Sequence, residues 1–406
     1  MNEVGKGYPI YRMNEIHNSV CDLEVKKYAD ITQQELSLFK LQDGDVLFNR
    51  TNSYEWVGRT GIYYKAEEQE EKVFASYLVR LVPDAEQILP EYLTAFLNTS
   101  KGIKQIKARA RQSINQTNVN PEEVKEIEIP LLSKNLQKAV RTNYLSAHAK
   151  LIASQEAYRA AEALLNNFLS TTDFSNSNYS IKTLADSFGQ SGRLDAEYYQ
   201  SKFDIMQDII KRYPHKKLSE LAAINTGEFV EEKFYGNTGI DYIRGTDITN
   251  WIVDNDSAVK VDINCSGLKT ISYNDLAFAM IGSVGNVSIY KSNNYGIVSN
   301  NLGIITPFDK NFSNYILLFL DSEIGQMFFE KYQTRTAQPK IRKEDIENFL
   351  IPLLDDKTVK GLSSKVEESF RLRKEAKQLL DNAIKAVEMA IETDEKTALI
   401  WLDAQL

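Results

Sequence analysis

The stretch Ile129-Pro130-Leu131-Leu132 occurs again as Ile351-Pro352-Leu353-Leu354, 222 positions further along the 406-residue chain. Upstream of both copies, more residues match in the same order, and the offset between matched residues grows in one direction. The matches run from Tyr92, Phe96, Leu97 and Gly102 (Tyr315, Phe319, Leu320 and Gly325) through Val57-Gly58 (Val284-Gly285) and Asp45 (Asp275) to Arg12 and Ile16 (Arg244 and Ile248). An ordered series of this length predicts a duplicated domain whose loops have diverged.

After each Ile-Pro-Leu-Leu motif, mostly apolar residues recur at alternating steps of three and four. The first series contains Val140, Tyr144, Ala147, Leu151, Ser154, Tyr158, Ala161, Leu165 and Phe168; the second contains Val359, Leu362, Val366, Ser369, Arg373, Ala376, Leu380, Ala383, Val387 and Ala390. This spacing is typical of a coiled-coil seam, and each helix would be about 35 residues or roughly 50 Å long. The alternative is that each helix packs on its own domain, but the length and the alanine-rich seam favour pairing.

The part of each half that precedes the motif predicts mixed secondary structure. Runs of β-branched and aromatic residues at 45–48, 61–64, 77–81 and 300–306 favour short strands broken by Gly and Asn turns. A helix is expected over Pro90–Lys107, with its counterpart over Phe312–Lys331. We therefore expect a first domain at 1–132, a first spacer helix at 133–172, a second domain at 173–354, a second spacer helix at 355–394 and a C-terminal tail at 395–406.

The composition indicates a soluble globular protein, with 43% hydrophobic and 26% charged residues. The densest apolar run, Tyr315 to Leu320, is far shorter than the roughly 20 residues that a membrane-spanning helix needs. The N-terminal MNEVGKGYPIYR lacks the apolar core of a signal peptide. Cys21 and Cys265 are lone thiols, so we expect no disulfide framework and a cytoplasmic location without membrane contact.

Two basic clusters are the candidates for nucleic-acid contact, although the net charge of −8 argues against such a partner for the chain as a whole. The first has Lys101, Lys104, Lys107, Arg109 and Arg111, followed by Gln112, Asn115, Gln116 and Asn118; the second has Lys331, Arg335, Lys340, Arg342 and Lys343 around Gln333 and Gln338. Lys and Arg bind phosphates, and Arg, Asn and Gln read base edges. A solvated charged face is the alternative for any basic run, but the clusters recur at matched places in both halves.

Further candidates lie in loops at the ends of predicted strands. They are Arg50, Asn52, Trp56 and Arg59 in the first half, where the sequence carries an insertion, and Arg244 and Thr246 in the second. Each could contact a base or cap a turn, and Trp56 could equally pack inside the domain. The candidate DNA-binding residues are therefore Arg50, Arg59, Lys104, Lys107, Arg109, Arg111, Gln116, Arg244, Arg335, Gln338, Lys340 and Arg342.

The order of globular domain, Ile-Pro-Leu and long helix, written twice, resembles the specificity subunit of type I restriction–modification systems. The resemblance rests on residues 44–48 (GDVLF), Val57-Gly58, Gln116-x-Asn118, their second-half partners and residues 192–199 (GRLDAEYY). It implies an α+β protein with two target-recognition domains, each reading one half of a split sequence in double-stranded DNA. It also implies that the two long helices form an antiparallel coiled coil that fixes the gap and binds two methyltransferase subunits, which restriction subunits join.

We expect no catalytic residue and no metal site in this chain. Its nine prolines include no Pro-Pro pair of the kind found in adenine methyltransferase loops, and no GxxxxGK[ST] phosphate loop is present. No acidic-x-Lys lies at a useful distance behind Pro83-Asp84, so a metal-dependent nuclease core is not evident, and His17, His148 and His215 are scattered. The resemblance assigns S-adenosylmethionine, Mg²⁺ and ATP to the partner subunits alone.

The two halves differ at their starts. The second has a lead-in from Gly192 through Leu218 and Ile224 to Gly227, whereas the first opens at Gly7-Tyr8 with almost nothing before it. We therefore expect an N-terminally short first recognition domain. Two other functions stay open: a coiled-coil scaffold with degenerate DNA recognition, and a stand-alone enzyme of unrecognised type.

Replacing Lys104, Lys107, Arg109 and Arg111 together by Ala should weaken duplex DNA binding and flatten its salt dependence, because fewer counterions are released. Titration of the binding constant against salt measures both effects. Unchanged affinity would place the DNA surface elsewhere.

Overall fold

The computed structural model describes residues 6–65, 70–114, 116–169, 180–236, 238–248, 251–263, 267–334 and 337–405. The chain forms two compact units. Unit 1 consists of Met1–Ser154 and Arg371–Leu406, and unit 2 consists of Gln155–Phe370. Both units mix helices and strands, as the sequence predicts. Cys21 is buried in unit 1, and Cys265 lies outside the described residues.

Most strands are short. Those of unit 1 are β1 (Tyr8–Tyr11), β2 (Ile16–His17), β3 (Val20–Cys21), β4 (Tyr28–Ala29), β5 (Val46–Asn49), β6 (Thr51–Asn52), β7 (Thr60–Ile62), β8 (Val73–Phe74), β9 (Leu78–Leu81), β10 (Arg111–Gln112) and β11 (Thr117–Asn118). Those of unit 2 are β12 (His215–Lys217), β13 (Ala222–Thr226), β14 (Tyr235–Gly236), β15 (Ile240–Ile243), β16 (Val259–Val261), β17 (Thr270–Ile271), β18 (Leu276–Ala279), β19 (Val287–Ile289), β20 (Gly296–Val298), β21 (Leu302–Pro307) and β22 (Leu350–Pro352).

Two helices are much longer than the rest. The helices are α1 (Gln33–Phe39), α2 (Pro90–Leu97), α3 (Ser100–Arg109), α4 (Pro121–Val124), α5 (Lys134–Leu169), α6 (Phe188–Ser191), α7 (Ser201–Lys211), α8 (Ser313–Asp321), α9 (Glu323–Tyr332), α10 (Lys343–Glu347), α11 (Asp356–Glu392) and α12 (Glu395–Asp403). The long helices α5 and α11 stand where spacers were expected at 133–172 and 355–394. The expected tail at 395–406 contains α12, which begins at the Asp394 cap.

The strand pairing of one unit repeats in the other. In unit 1, β5 lies between β7 and β9, and both neighbours are antiparallel to it. In unit 2, β18 lies between β19 and β21 in the same way. A second sheet repeats as well, because β1 runs parallel to β8 and β15 runs parallel to β20. The duplication that the sequence predicts is therefore present in the backbone.

The matched residues of the repeat make matched hydrogen bonds. The hydroxyl of Tyr92 donates to the carbonyl oxygen of Pro130 at 2.6 Å, and that of Tyr315 donates to Pro352 at 2.8 Å. Asp45 accepts from a backbone N–H three residues earlier at 2.8 Å, and so does Asp275. These contacts need a phenol and a carboxylate, which explains why those residue types recur.

The helix expected over Pro90–Lys107 is two helices, and that prediction was wrong. The side chain of Thr99 ends α2 and begins α3, because its hydroxyl accepts the N–H of Gly102 at 3.1 Å. Ser322 separates α8 from α9 in the same way, so the helix expected over Phe312–Lys331 is also divided. A Ser or Thr in this position satisfies an N–H that the first helical turn leaves unpaired.

Glycine at the third position of α3 and α9 has a steric cause. A Cβ atom on Gly102 would lie 2.2 Å from the carbonyl oxygen of Phe96, and one on Gly325 would lie 2.1 Å from that of Phe319. Only a residue without a side chain lets the second helix start this close to the backbone of the first.

Each unit packs segments of both long helices into its core. In unit 1, one apolar cluster combines Val140 and Tyr144 of α5 with Leu380 and Val387 of α11, and also contains domain residues such as Phe96. In unit 2, the corresponding cluster contains Leu165 of α5, Leu362 and Val366 of α11, and Phe319. Within each unit, the segments of the two helices therefore pack on each other and on the rest of that unit.

The lead-in of the second half adds strands to unit 2. β13 pairs with the outer edge of β21, where Ile224 faces Ile305, and β12 pairs with β22 over the Ile-Pro-Leu segment. Within the described part of unit 1, β9 is an edge strand and residues 128–132 form no strand. Consequently Ile351 is fully buried, whereas Ile129 is only half-buried.

No helix in the described ranges is long and apolar enough to cross a membrane.

Gly102→Ala should destabilise unit 1 by about 1–3 kcal/mol, because its methyl group overpacks the α2 backbone. Gly361→Ala is the matched control, since Gly361 lies in α11 and a Cβ atom there would have nothing within 4 Å. That change should stabilise the helix by up to about 1 kcal/mol. Calorimetric unfolding of the full chain compares the two; a neutral Gly102→Ala would contradict the close helix approach.

Candidate nucleic-acid interface

A small three-stranded sheet holds the first basic cluster in unit 1. β11 pairs antiparallel with β10 on one side and with β6 on the other, so Thr117 faces both Gln112 and Asn52. The hydroxyl of Thr51 in β6 donates to the side-chain oxygen of Asn118 in β11 at 2.6 Å, which adds a side-chain link between these two strands. The sheet thus joins a loop near residue 52 to the segment that follows α3.

The side chains at the end of this ribbon point into solvent. Arg111, Gln112, Ile114 and Gln116 are exposed, and Ile114 is 100% exposed. The amide of Ser113 donates to the Gln116 carbonyl oxygen at 2.8 Å and closes the turn. The ribbon therefore presents one arginine, two glutamines and one isoleucine to solvent.

The second basic cluster occupies the equivalent position in unit 2. The N–H of Val119 donates to the Arg50 carbonyl oxygen at 2.9 Å, and the N–H of Ile341 donates to that of Met280 at 2.9 Å. The segment that follows α3 in unit 1 therefore returns to the end of β5. The segment that follows α9 in unit 2 returns to the end of β18 in the same way. Gln338 and Lys340 are exposed there, and Arg335 lies outside the described residues.

Besides Lys340, three cations in these segments are available to an anionic ligand. Lys104 is exposed on α3. Arg111 is 74% exposed and pairs with Glu123, and Arg342 is 75% exposed and pairs with Asp345 through two nitrogens at 2.9 Å. The Asp345 hydrogen bonds raise the pKa of Arg342. An exposed ion pair contributes only about 0–1 kcal/mol, so a phosphate can replace the carboxylate at little cost.

Three other candidates bind backbone carbonyl groups. Lys107 donates to the carbonyl oxygens of residues 54, 55 and 57, and its burial lowers its pKa. Arg109 donates to the carbonyl oxygens of residues 105 and 126 at 3.0 and 2.6 Å. Arg59 donates to that of residue 16 at 3.0 Å and lies over the Trp56 ring at 3.9 Å. These side chains hold loops in place, a task that a count of charges does not reveal.

Arg50 and Arg244 lie at turns next to strands. Arg50 is half-buried directly after β5, and its backbone N–H donates to the Tyr77 carbonyl oxygen at 3.0 Å. The backbone N–H of Arg244 donates to the Asp247 carboxylate at 2.8 Å. This hydrogen bond caps a turn, which is one of the two alternatives that the sequence left open for Arg244.

Tyr54 is a surface residue that the sequence predictions did not include. It lies in the loop between β6 and β7, and its ring is 48% exposed. The insertion in the sequence could have drawn attention to Tyr54. The segment between Asn49 and Val57 is three residues longer than the matching segment between Ala279 and Val284. Within the described ranges, no group of His, Cys, Asp and Glu is arranged to hold a metal ion.

Comparison with known proteins identifies a protein family to which part of the chain is similar. Residues 211–375 match the family described as the type I restriction modification DNA specificity domain. A putative type I restriction enzyme MjaX specificity subunit from Methanocaldococcus jannaschii is 33% identical over 135 residues, which is 33% of this chain and 31% of that protein. The second half of the chain is therefore similar to the DNA specificity domain of type I restriction–modification systems. The resemblance noted from the sequence is thereby confirmed.

Other specificity subunits are more distant. The EcoKI specificity subunit of Escherichia coli K12 is 29% identical over 159 residues, covering 38% of this chain and 33% of the relative. The matched segments therefore span about a third of each curated relative. The crystal structure of the HsdS subunit from Thermoanaerobacter tengcongensis has 15% identity and a TM-score of 0.31, covering 95% of this chain and 90% of that one. The type I S subunit from M. genitalium has 11% identity and a TM-score of 0.34, covering 98% and 89%.

The family match covers most of the second repeat and ends inside α11. Unit 1 lies almost wholly outside the match, but it has the same strand pairing and the same tyrosine–proline hydrogen bond. The first half of the chain therefore shares backbone features with the matched domain.

Lys104→Gln and Lys340→Gln should each weaken duplex DNA binding and lower the salt slope by about 1, because each removes one exposed cation from a recognition unit. Lys396→Gln removes an exposed cation from α12 and is the control, with an unchanged slope expected. A plot of log binding constant against log salt measures the slopes. Equal effects from all three variants would indicate a diffuse charge effect without a defined interface.

Proposed function

We propose that this chain recognises a split sequence in double-stranded DNA, with each unit reading one half. The observation that carries the proposal is the equivalent placement of an exposed, basic, amide-rich segment in both units, held by the same backbone hydrogen bond. The similarity of residues 211–375 to the type I restriction modification DNA specificity domain supports the same conclusion.

The ribbon of β10 and β11 is suited to direct base readout in unit 1. The major groove of DNA admits a two-stranded β-ribbon, and Arg and Gln side chains make paired hydrogen bonds to guanine and adenine edges. Arg111, Gln112 and Gln116 are exposed along such a ribbon, while Lys104 lies on the preceding helix and binds phosphate. In unit 2, Gln338, Lys340 and Arg342 take these roles.

We infer that α5 and α11 form an antiparallel coiled coil that sets the gap between the half-sites. In unit 1, Leu136 shares a cluster with Ala390, and Lys150 pairs with Glu375 at 2.6 Å. Numbers that rise along one helix fall along the other, which is the pattern of antiparallel packing. The helices contain 36 and 37 residues, equivalent to about 54 Å each.

The same helices are proposed to bind two methyltransferase subunits, which restriction subunits then join. Support comes from α5, which keeps several large apolar side chains exposed although its seam is buried. These side chains are Leu145, Ile152 and Leu164, which lie outside the seam series. Exposed apolar side chains outside a buried seam are available for contact with another protein. Methyl transfer, with S-adenosylmethionine, Mg²⁺ and ATP, is assigned to those partner subunits, and this chain supplies recognition without catalysis.

Deleting one heptad from each long helix, around Lys150 and Glu375, should shorten the gap between the two protected half-sites by about 3 base pairs. Seven residues rise about 10 Å in a helix, and DNA rises about 3.4 Å per base pair. Footprinting of the chain with its methyltransferase partner measures the gap.

The matched control exchanges the charges of the pair, with Lys150→Glu and Glu375→Lys together, and keeps both helix lengths. It should leave the gap unchanged. An unchanged gap after the deletion refutes the spacer role, and protection of a single half-site would favour a scaffold in which one unit has lost recognition.

A further inference from the structure

The loop of residues 53–57 in unit 1 has no counterpart of equal length in unit 2. Asn49 matches Ala279 at an offset of 230, whereas Val57 matches Val284 at 227, so three extra residues lie between them. The loop leaves β6, whose partner β11 belongs to the reading ribbon. It therefore lies directly beside the surface assigned to base readout.

Lys107 fixes the position of this loop through hydrogen bonds to its backbone. Its ammonium group donates to the carbonyl oxygens of Tyr54, Glu55 and Val57, the last two at 3.1 and 2.9 Å. It also lies 4.9 Å from the centre of the Tyr54 ring. An ammonium group has three donors, and three carbonyl oxygens use all of them.

The arrangement is specific to unit 1. At the offset of 223 that relates Gly102 to Gly325, Lys107 corresponds to Glu330. Glu330 accepts from Lys202 of the lead-in helix α7 at 2.7 Å. The lysine and the longer loop therefore occur together in one unit and are both absent at the matched positions of the other.

A phosphate contact by Lys107 would break this arrangement. The ammonium group would have to release the carbonyl oxygens and the Tyr54 ring, which would free the loop beside the ribbon. The half-buried position of Lys107 also contrasts with the exposed position of Lys104 on the same helix.

We propose that Lys107 is a positioning residue that fixes the 53–57 loop, with the exposed Tyr54 ring, as part of the base-reading surface of unit 1. Half-site specificity of unit 1 then depends on Lys107, although its charge does not contact DNA. The inference rests on the proposed function, since it assumes that unit 1 reads a half-site.

The test compares Lys107→Met, Lys107→Arg and the control Lys104→Met in the full chain with its methyltransferase partner. Selection from a duplex library with random positions gives both half-sites for each variant. Lys107→Met should relax discrimination in one half-site about tenfold or more and leave the other half-site and the salt slope unchanged. Lys107→Arg should restore much of the discrimination, because guanidinium can also donate to carbonyl oxygens.

Lys104→Met should instead lower the salt slope by about 1 and leave both half-sites unchanged. Hydrogen exchange at the amides of residues 53–59 gives a readout that needs no DNA, and it should accelerate in Lys107→Met alone. Tyr54→Ala, at an exposed ring, removes the presented group without disturbing the core, and it should relax the same half-site.

The proposal is overturned if Lys107→Met lowers the salt slope and keeps both half-sites, because that is the behaviour of a phosphate ligand. Unchanged amide exchange in Lys107→Met overturns it too, as does full discrimination in Tyr54→Ala. If the unmodified chain selects no split sequence, the proposed function fails, and amide exchange still decides whether Lys107 holds the loop.

Discussion

The hydrogen bond from a buried tyrosine to the proline of each Ile-Pro-Leu segment is the constraint on which each unit depends. Tyr92 and Tyr315 each belong to the first of two short helices, and each donates to the carbonyl oxygen of the proline that precedes a long helix. Burial raises the pKa of both phenols, so they stay protonated donors. A buried hydroxyl without this partner would cost about 1–3 kcal/mol.

This contact links the proposed recognition surface of each unit to the long helix that follows it. The helix carrying the tyrosine is joined through Thr99 or Ser322 to a second helix, and the basic segment begins at the end of that second helix. The glycines that start α3 and α9 make the close helix approach possible. In both units, the same backbone arrangement therefore relates the basic segment to the long helix. The side chains on the surface of this arrangement are free to differ.

The two units differ in loops, added strands and side chains outside this shared backbone arrangement. Unit 1 carries a longer loop with Lys107 beneath it, and unit 2 carries the lead-in strands and a Glu330–Lys202 pair at the matched position. Such differences are what two units need if they are to read different half-sites, because specificity comes from the side chains that reach base edges.

The repeat and the long helices could be predicted from the sequence because both leave periodic or ordered patterns of residue types. The division of each helix pair could not be seen from apolar spacing, although Thr99 and Ser322, each three residues before a glycine, were signals of a helix start. The basic residues were found, but their roles were not. Lys107 and Arg109 bind carbonyl oxygens that belong to distant parts of the chain, and no one-dimensional pattern of charge reports such partners.

The most direct test of the account is single-molecule sequencing of adenine methylation in cells that carry this chain with the proposed methyltransferase partner. Two reading units on a fixed spacer predict one methylated motif with two specified halves and an unspecified gap of constant length. A continuous motif, a motif with one specified half, or a gap of variable length would contradict it.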